Sequence, residues 1–191
     1  NNTYIFFLSD NGGRDVISGK NGNMNHQNFP LRDGKHFFYE GGIRVPFIVA
    51  GPGIKKNIVS AAPVTGLDIL PTVADLAGYA GTLPDTLDGG SMKPVLFDGG
   101  NGLVYRTKPY LLFHQSVDRK VQSALLMENY KLVKTWSKDR MELFDISQDI
   151  SETTDLSSKL PAKTAQLHTL MENFLNEVGA ETHHIGNKKK R

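Results

Sequence analysis

The strongest constraint on this chain is a pair of apolar runs that each break into a glycine turn. Tyr4-Ile5-Phe6-Phe7-Leu8 gives way to Ser9-Asp10-Asn11-Gly12-Gly13, and Val45-Pro46-Phe47-Ile48-Val49-Ala50 gives way to Gly51-Pro52-Gly53. Continuous rather than alternating hydrophobicity predicts strands buried on both faces, as in a parallel α/β sheet. In such sheets ligands gather beyond the carboxyl ends of the strands, where Asp10 and Asn11 fall. A carboxylate and an amide ahead of two glycines offer hard oxygen donors over a tight turn. The same residues also make an ordinary turn.

The stretch between the runs is polar. Ser9 to Phe29 reads as one long glycine- and asparagine-rich loop, and a loop of that length inside a compact domain usually borders a site. His26 reads as a solvated loop histidine. Lys35 follows Gly34 and precedes His36-Phe37-Phe38-Tyr39, aromatics able to hold its stem while the ammonium faces an anion. Glu40 and Arg44 flank Gly41-Gly42-Ile43 and are expected to brace the backbone through a local ion pair.

Composition removes several functions. There is no cysteine, so the chain holds no disulfide, thiolate nucleophile or zinc-thiolate site. A net charge of +2 is too small to imply a nucleic-acid partner, and Lys188-Lys189-Lys190-Arg191 reads as a solvated tail. No run approaches the ~20 apolar residues of a transmembrane segment. Because the chain opens almost directly on a core strand, its biological N-terminus is expected to lie further upstream.

Beyond the second run, Thr65-x-x-Asp68 reads as a capping box before a helix ending at Gly78, with Pro71 best placed if Asp68 is the N-cap. Residues 80–104 form a connection with a short helical turn around Met92 to Leu96. Four short strands then follow, around Tyr110–Phe113, Ser123–Met127, Tyr130–Val133 and Met141–Phe144, with turns at Glu128-Asn129 and Asp139-Arg140. A helix with Pro161 in its first turn and Gly179 as its stop is expected to cover that antiparallel sheet, and His183-His184 beyond it reads as a tail. The change in patterning divides the chain into residues 1–104 and 105–191.

Together Ser9-Asp10-Asn11-Gly12-Gly13, Pro30-Leu31-Arg32-Asp33-Gly34-Lys35 and Tyr39-Glu40-Gly41-Gly42-Ile43-Arg44-Val45-Pro46 resemble the C-terminal part of type I, formylglycine-dependent sulfatases of the alkaline-phosphatase-like superfamily. The resemblance continues, in the family's order, through Gly66-Leu67-Asp68-Ile69-Leu70-Pro71-Thr72, Asp88-Gly89, Tyr130-Lys131-Leu132 and Glu142-Leu143-Phe144-Asp145. It implies the C-terminal portion of an α/β catalytic domain over 1–104 and a small antiparallel subdomain with a helix over 105–191.

The resemblance also implies calcium ligands at Asp10 and Asn11, and a catalytic, sulfate-binding lysine at Lys35. His114, at the end of an apolar run, is a candidate substrate contact at the rim. Expected partners are a sulfated small molecule or glycan and the N-terminal portion of the same protein, in a secreted or periplasmic setting. The formylglycine nucleophile arises from a Cys/Ser-x-Pro-x-Arg motif that these residues lack, so the chain alone is expected to be inactive. Asp33 stands where the family often has glycine, and Phe37-Phe38 where smaller residues are frequent. A phosphatase or phosphonate monoester hydrolase, and a noncatalytic glycan-binding relative, remain alternative readings.

Overall fold

A computed structural model describes residues 2–18, 24–116 and 121–182. They divide into two compact units, Asn1–Asp10 with Pro46–Pro109 and Asn11–Val45 with Tyr110–Arg191. Residues 11–45, grouped with 1–104 from patterning, thus belong to the same unit as the C-terminal sheet. Asn21, Asn23, His183, His184 and the basic tail lie outside the described residues.

In the first unit, β1 (Ile5–Leu8) and β4 (Phe47–Ala50) pair antiparallel, with Ile5 opposite Ala50 and Phe7 opposite Ile48. This corrects the expectation of parallel strands buried on both faces. Antiparallel pairing places Ile5, Phe7, Ile48 and Ala50 on one face, where Ile5 is 62%, Phe7 62% and Ile48 60% exposed. The other face is half-buried. The apolar runs supply two oily faces, and the described residues cover only one of them in part.

The capping expectation is met in both of its forms. Thr65 Oγ1 accepts from the Leu67 N–H at 3.2 Å while the Asp68 carboxylate accepts from the Thr65 N–H at 2.7 Å, closing a capping box over a 3₁₀ turn. Helix α2 (Ile69–Leu76) then starts with Asp68 at its N-cap and Pro71 as its third residue. Asp68 is fully buried and forked by Arg106, with Nε to Oδ1 at 2.8 Å and Nη2 to Oδ2 at 2.5 Å. It also accepts from the Gly90 N–H at 2.9 Å, and Thr72 Oγ1 takes the Met92 N–H at 2.8 Å. These bonds seat α3 (Lys93–Phe97), the helical turn expected near Met92.

The second unit is built on the expected sheet: β5 (Leu111–Gln115), β6 (Gln122–Met127), β7 (Tyr130–Thr135) and β8 (Arg140–Asp145), antiparallel in sequence order. Glu128 at φ 57° and Asp139 at φ 45° make the two tight turns. Helix α4 (Pro161–Glu177) opens on proline, and Gly179 follows its end at φ 64°. Its Leu167, Met171 and Leu175, spaced four apart, pack on Leu125, Leu132 and Leu143. Each side chain so buried contributes on the order of 1.5–3 kcal/mol.

The opposite face of this sheet carries Gln122, Ala124, Lys131, Val133, Glu142 and Phe144. Tyr39, Phe37 and Phe38 pack there against Ala124, Val133 and Phe144. One segment expected to be plain loop is not: Val16–Ser18 (β2) pairs antiparallel with Met24–His26 (β3). Between those strands and β4 lies one short helical turn, α1 (Glu40–Ile43).

Candidate functional site

The second unit places two glycine pairs back to back. The Gly12 N–H donates to the Gly42 carbonyl at 2.9 Å, and the Gly41 N–H donates to the Arg32 carbonyl at 2.9 Å. A Cβ on Gly12 would lie 2.1 Å from the Gly41 oxygen, and one on Gly42 would lie 1.9 Å from the Phe37 oxygen. Only glycine lets these backbones approach so closely. The Asn11-Gly12-Gly13 turn and the Glu40-Gly41-Gly42 turn are therefore one packed object.

Lys35 is exposed on the loop that this object carries. Its N–H donates to the Gly13 carbonyl at 2.9 Å, and the Asn28 Nδ2 ties Gly13 O at 2.8 Å to Asp33 O at 2.9 Å. Two non-glycine residues bracket it in left-handed conformations, Asp33 at φ 54° and His36 at φ 79°. Such backbone costs about 1–3 kcal/mol per residue and persists only where its surroundings impose it. Sheet residues supply part of that constraint: the Gln115 Nε2 donates to the His36 carbonyl at 2.7 Å, and the Phe38 N–H donates to the Gln122 Oε1 at 2.8 Å. Phe38 also sits 6.0 Å from the Phe113 ring.

A buried ionic network anchors the far end of the loop. Lys131, fully buried on β7, lies 2.9 Å from Glu40 Oε1 and 2.9 Å from Glu152 Oε1. Arg44 Nε holds Glu40 Oε2 at 2.6 Å, the local pair expected across the turn. Glu152 Oε2 accepts the Glu40 N–H at 2.6 Å. Arg32 stacks 3.8 Å over the Tyr39 ring and donates to Glu142 Oε1 at 3.2 Å, while the Tyr39 hydroxyl donates to the other Glu142 oxygen.

Environment separates the titrations of these groups. Burial pushes the Glu40 carboxyl up, but Lys131 and then Arg44 outweigh it and hold the group below 4.5. Burial pushes Glu152 up, and there Lys131 does not fully compensate. Burial and the hydrogen bond to Glu142 raise the Tyr39 phenol far above its ordinary value, so it stays a donor.

The sequence-predicted residues are distributed unevenly. Asn11 is half-buried, and the Lys35 backbone N–H bonds the carbonyl of Gly13, two residues further on, at 2.9 Å. Asp10 is the exposed last residue of the first unit's strand segment. His114 lies on the α4 face of the sheet, opposite the lysine loop. Its Nδ1 is 2.8 Å from Ser123 Oγ and its Nε2 is 3.1 Å from the Glu181 carbonyl, while burial depresses its pKa below 6.5. The neighbouring Gln115 is the residue that faces the loop. Among the described residues no three His, Asp or Glu side chains gather around a metal position. Asp10 carries a carboxylate and Asn11 an amide oxygen, donor types that hard cations take.

This architecture is that of the sulfatases. The crystal structure of Ps i-CgsB in complex with k-i-k-neocarrahexaose matches it at TM-score 0.67 and 32% identity, over 90% of this chain and 36% of that one. The chain belongs to the family described as N-sulphoglucosamine sulphohydrolase, C-terminal, whose model matches residues 28–181. A sulfatase of Formosa agariphila is 32% identical over 188 residues, covering 91% of this chain and 32% of its own length. N-acetylglucosamine-6-sulfatase of Capra hircus is 40% identical over 121 residues, covering 63% of this chain and 19% of its own. A structure in complex with its substrate D-glucosamine-2-N,6-O-disulfate, at 24% identity and TM-score 0.66 over 91% of this chain and 34% of that one, speaks for the fold alone. The chain spans about a third or less of the length of these relatives.

Sequence reasoning missed Gln115, Gln122 and Glu152. Glutamines inside strands carry no motif, and Glu152 is recognisable only once its positive φ of 52° turns it under Glu40.

Proposed function

We propose that the complete protein hydrolyses sulfate esters on a sugar, and that this chain supplies its anion-binding lysine and part of its cation site. The observation that carries the reading is an exposed ammonium, Lys35, on a loop whose backbone is tied to the Asn11-Gly12-Gly13 turn at 2.9 Å. A pre-positioned ammonium binds sulfate and neutralises negative charge that grows on the ester oxygen as the S–O bond breaks. Asp10 and Asn11, at the end of the β1 run, would supply a carboxylate and an amide oxygen to a hard cation. Calcium bound there, with further ligands from outside these residues, supplies charge neutralisation for the sulfate oxygens. Formylglycine from the N-terminal portion supplies the nucleophile, and without that portion this chain is inactive.

The family and its sulfatase relatives support a sulfated glycan as the substrate class. The exposed face of Ile5, Phe7 and Ile48 supports burial against the rest of a longer polypeptide. His114 takes part only if one of its two hydrogen bonds opens.

Sulfate release and calcium titration on the full-length protein test the reading. Lys35→Ala should lower kcat/KM by roughly 100-fold or more while calcium still binds. Asp10→Ala should lower both turnover and calcium affinity, with partial recovery at high calcium. Wild-type kcat/KM for Lys35→Ala, or faster hydrolysis of phosphate esters than of any sulfate ester, would sink it.

A further inference from the structure

We infer that Gln115 and Gln122 form a clamp that sets the position of the Lys35 ammonium and are positioning residues for the hydrolysis. The inference rests on the reading of Lys35 given above. The two glutamines are direct cross-strand partners on β5 and β6. Both project onto the lysine loop, one donating to the His36 carbonyl at 2.7 Å and the other accepting from the Phe38 N–H at 2.8 Å. Backbone partners fix the amide orientations, because a carbonyl only accepts and an N–H only donates. The bonds straddle Phe37 and begin at the residue that follows Lys35.

Three observations make this more than core packing. Gln122 is only 3% exposed, and a buried amide is costly unless both of its ends are satisfied. Its carbonyl is satisfied by the loop and its amide by Thr135 Oγ1 at 3.3 Å. The loop is left-handed at Asp33 and His36, so it would relax to other conformations without external ties. Neither glutamine bonds the lysine side chain by these contacts. Their influence passes through its backbone, where a displacement of about 1 Å can cost on the order of 100-fold in rate.

The roles differ at the two positions, which gives the test its discrimination. Gln122 is used as an acceptor toward the loop, so Gln122→Glu keeps the contact and Gln122→Met loses it at nearly constant volume. Gln115 is used as a donor, so Gln115→Glu sets an oxygen against the His36 oxygen. In the full-length protein, Gln122→Met and Gln115→Glu should each lower kcat about tenfold with KM changed less than about twofold. Gln122→Glu should recover most of the loss. In a Lys35→Ala background, either substitution should cost less than about twofold further, because what the clamp positions is gone. Amide exchange at Phe38 should accelerate in Gln122→Met while α4 exchange stays unchanged.

Equal losses with and without Lys35→Ala would overturn the inference, as would unaltered kcat in Gln115→Glu. Gln115 is half-exposed, so that variant decides even if Gln122→Met fails to fold. If Lys35→Ala alone proves wild-type-like, the functional reading falls. Phe38 exchange then still decides whether the clamp holds the loop, and unchanged exchange refutes it.

Discussion

Replacing Lys131 with methionine tests what the buried ionic network contributes. Methionine nearly conserves volume, so the substitution removes charge rather than packing. The ammonium lies 2.9 Å from one oxygen of Glu40 and 2.9 Å from one of Glu152. At an effective dielectric of ~20, each attraction is about 6 kcal/mol before the cost of desolvating the ammonium. Glu40 keeps Arg44 at 2.6 Å, and among the described residues the Glu152 carboxylate keeps only the Glu40 N–H at 2.6 Å. The variant therefore buries roughly one uncompensated carboxylate, a loss of about 3–5 kcal/mol.

Trp136 is the chain's only tryptophan and follows β7, so its fluorescence in urea reports the second unit. With a slope of ~2 kcal/mol/M the midpoint should fall by about 2 M. The pH dependence has a definite sign. Without Lys131 the folded-state pKa values of both carboxyls rise, and an acid so raised loses stability as pH climbs from 4.5 toward its folded value. The gap between wild type and variant should therefore be smaller at pH 5 than at pH 8. A gap under about 1 kcal/mol, or one that ignores pH, refutes the assignment of Lys131 as the counter-charge.

Other substitutions check other parts of the structure. Gly42→Ala drives a methyl to 1.9 Å from the Phe37 oxygen, so the second unit should lose at least about 2 kcal/mol by the same fluorescence assay; a neutral result would mean the glycine pairs do not pack as described. The His114 ring should titrate below 6.5 by NMR, and wild-type stability should fall as pH drops through 6.5; His114→Gln should remove that component, and an ordinary titration contradicts the buried placement. Phe7→Lys should reduce binding of a hydrophobic dye by the 191-residue chain and destabilise the full-length protein. An unchanged Tm in the full-length protein would show that the exposed face of β1 and β4 is not covered there.

Local chemistry was legible in the sequence wherever a few adjacent residues determine it. The Thr65–Asp68 box, the Pro71 placement, the Glu128-Asn129 turn and the 161–177 helix each depend on spacing within one turn or hairpin. The Glu40–Arg44 pair is of the same kind, at i and i+4. The pairing sense of β1 and β4 was not legible, because continuous apolar runs suit either direction. Nor was the role of the residues at 114 and 115. Along a strand adjacent side chains take opposite faces, so His114 lies beneath α4 while Gln115, one position on, meets the lysine loop. Lys131 and Glu152 were invisible as partners because their pairing with Glu40 spans roughly a hundred residues, and charge patterning speaks only to neighbours.

The four-stranded sheet also acts as a partition with a simple arithmetic. Odd-numbered residues of β5 and β7 and even-numbered residues of β6 and β8 share the side of the lysine loop, as the pairings of Gln115 with Gln122, Lys131 with Phe144 and Thr135 with Arg140 require. The opposite parity lies beneath α4. Variation in these strands can therefore be sorted by residue number: one parity meets the lysine loop and its buried ionic network, and the other meets α4. Because a layer of backbone separates the two, a substitution of one parity can repack the face beneath α4 while leaving the contacts of the lysine loop in place, and one of the other parity can alter the loop without touching the helix.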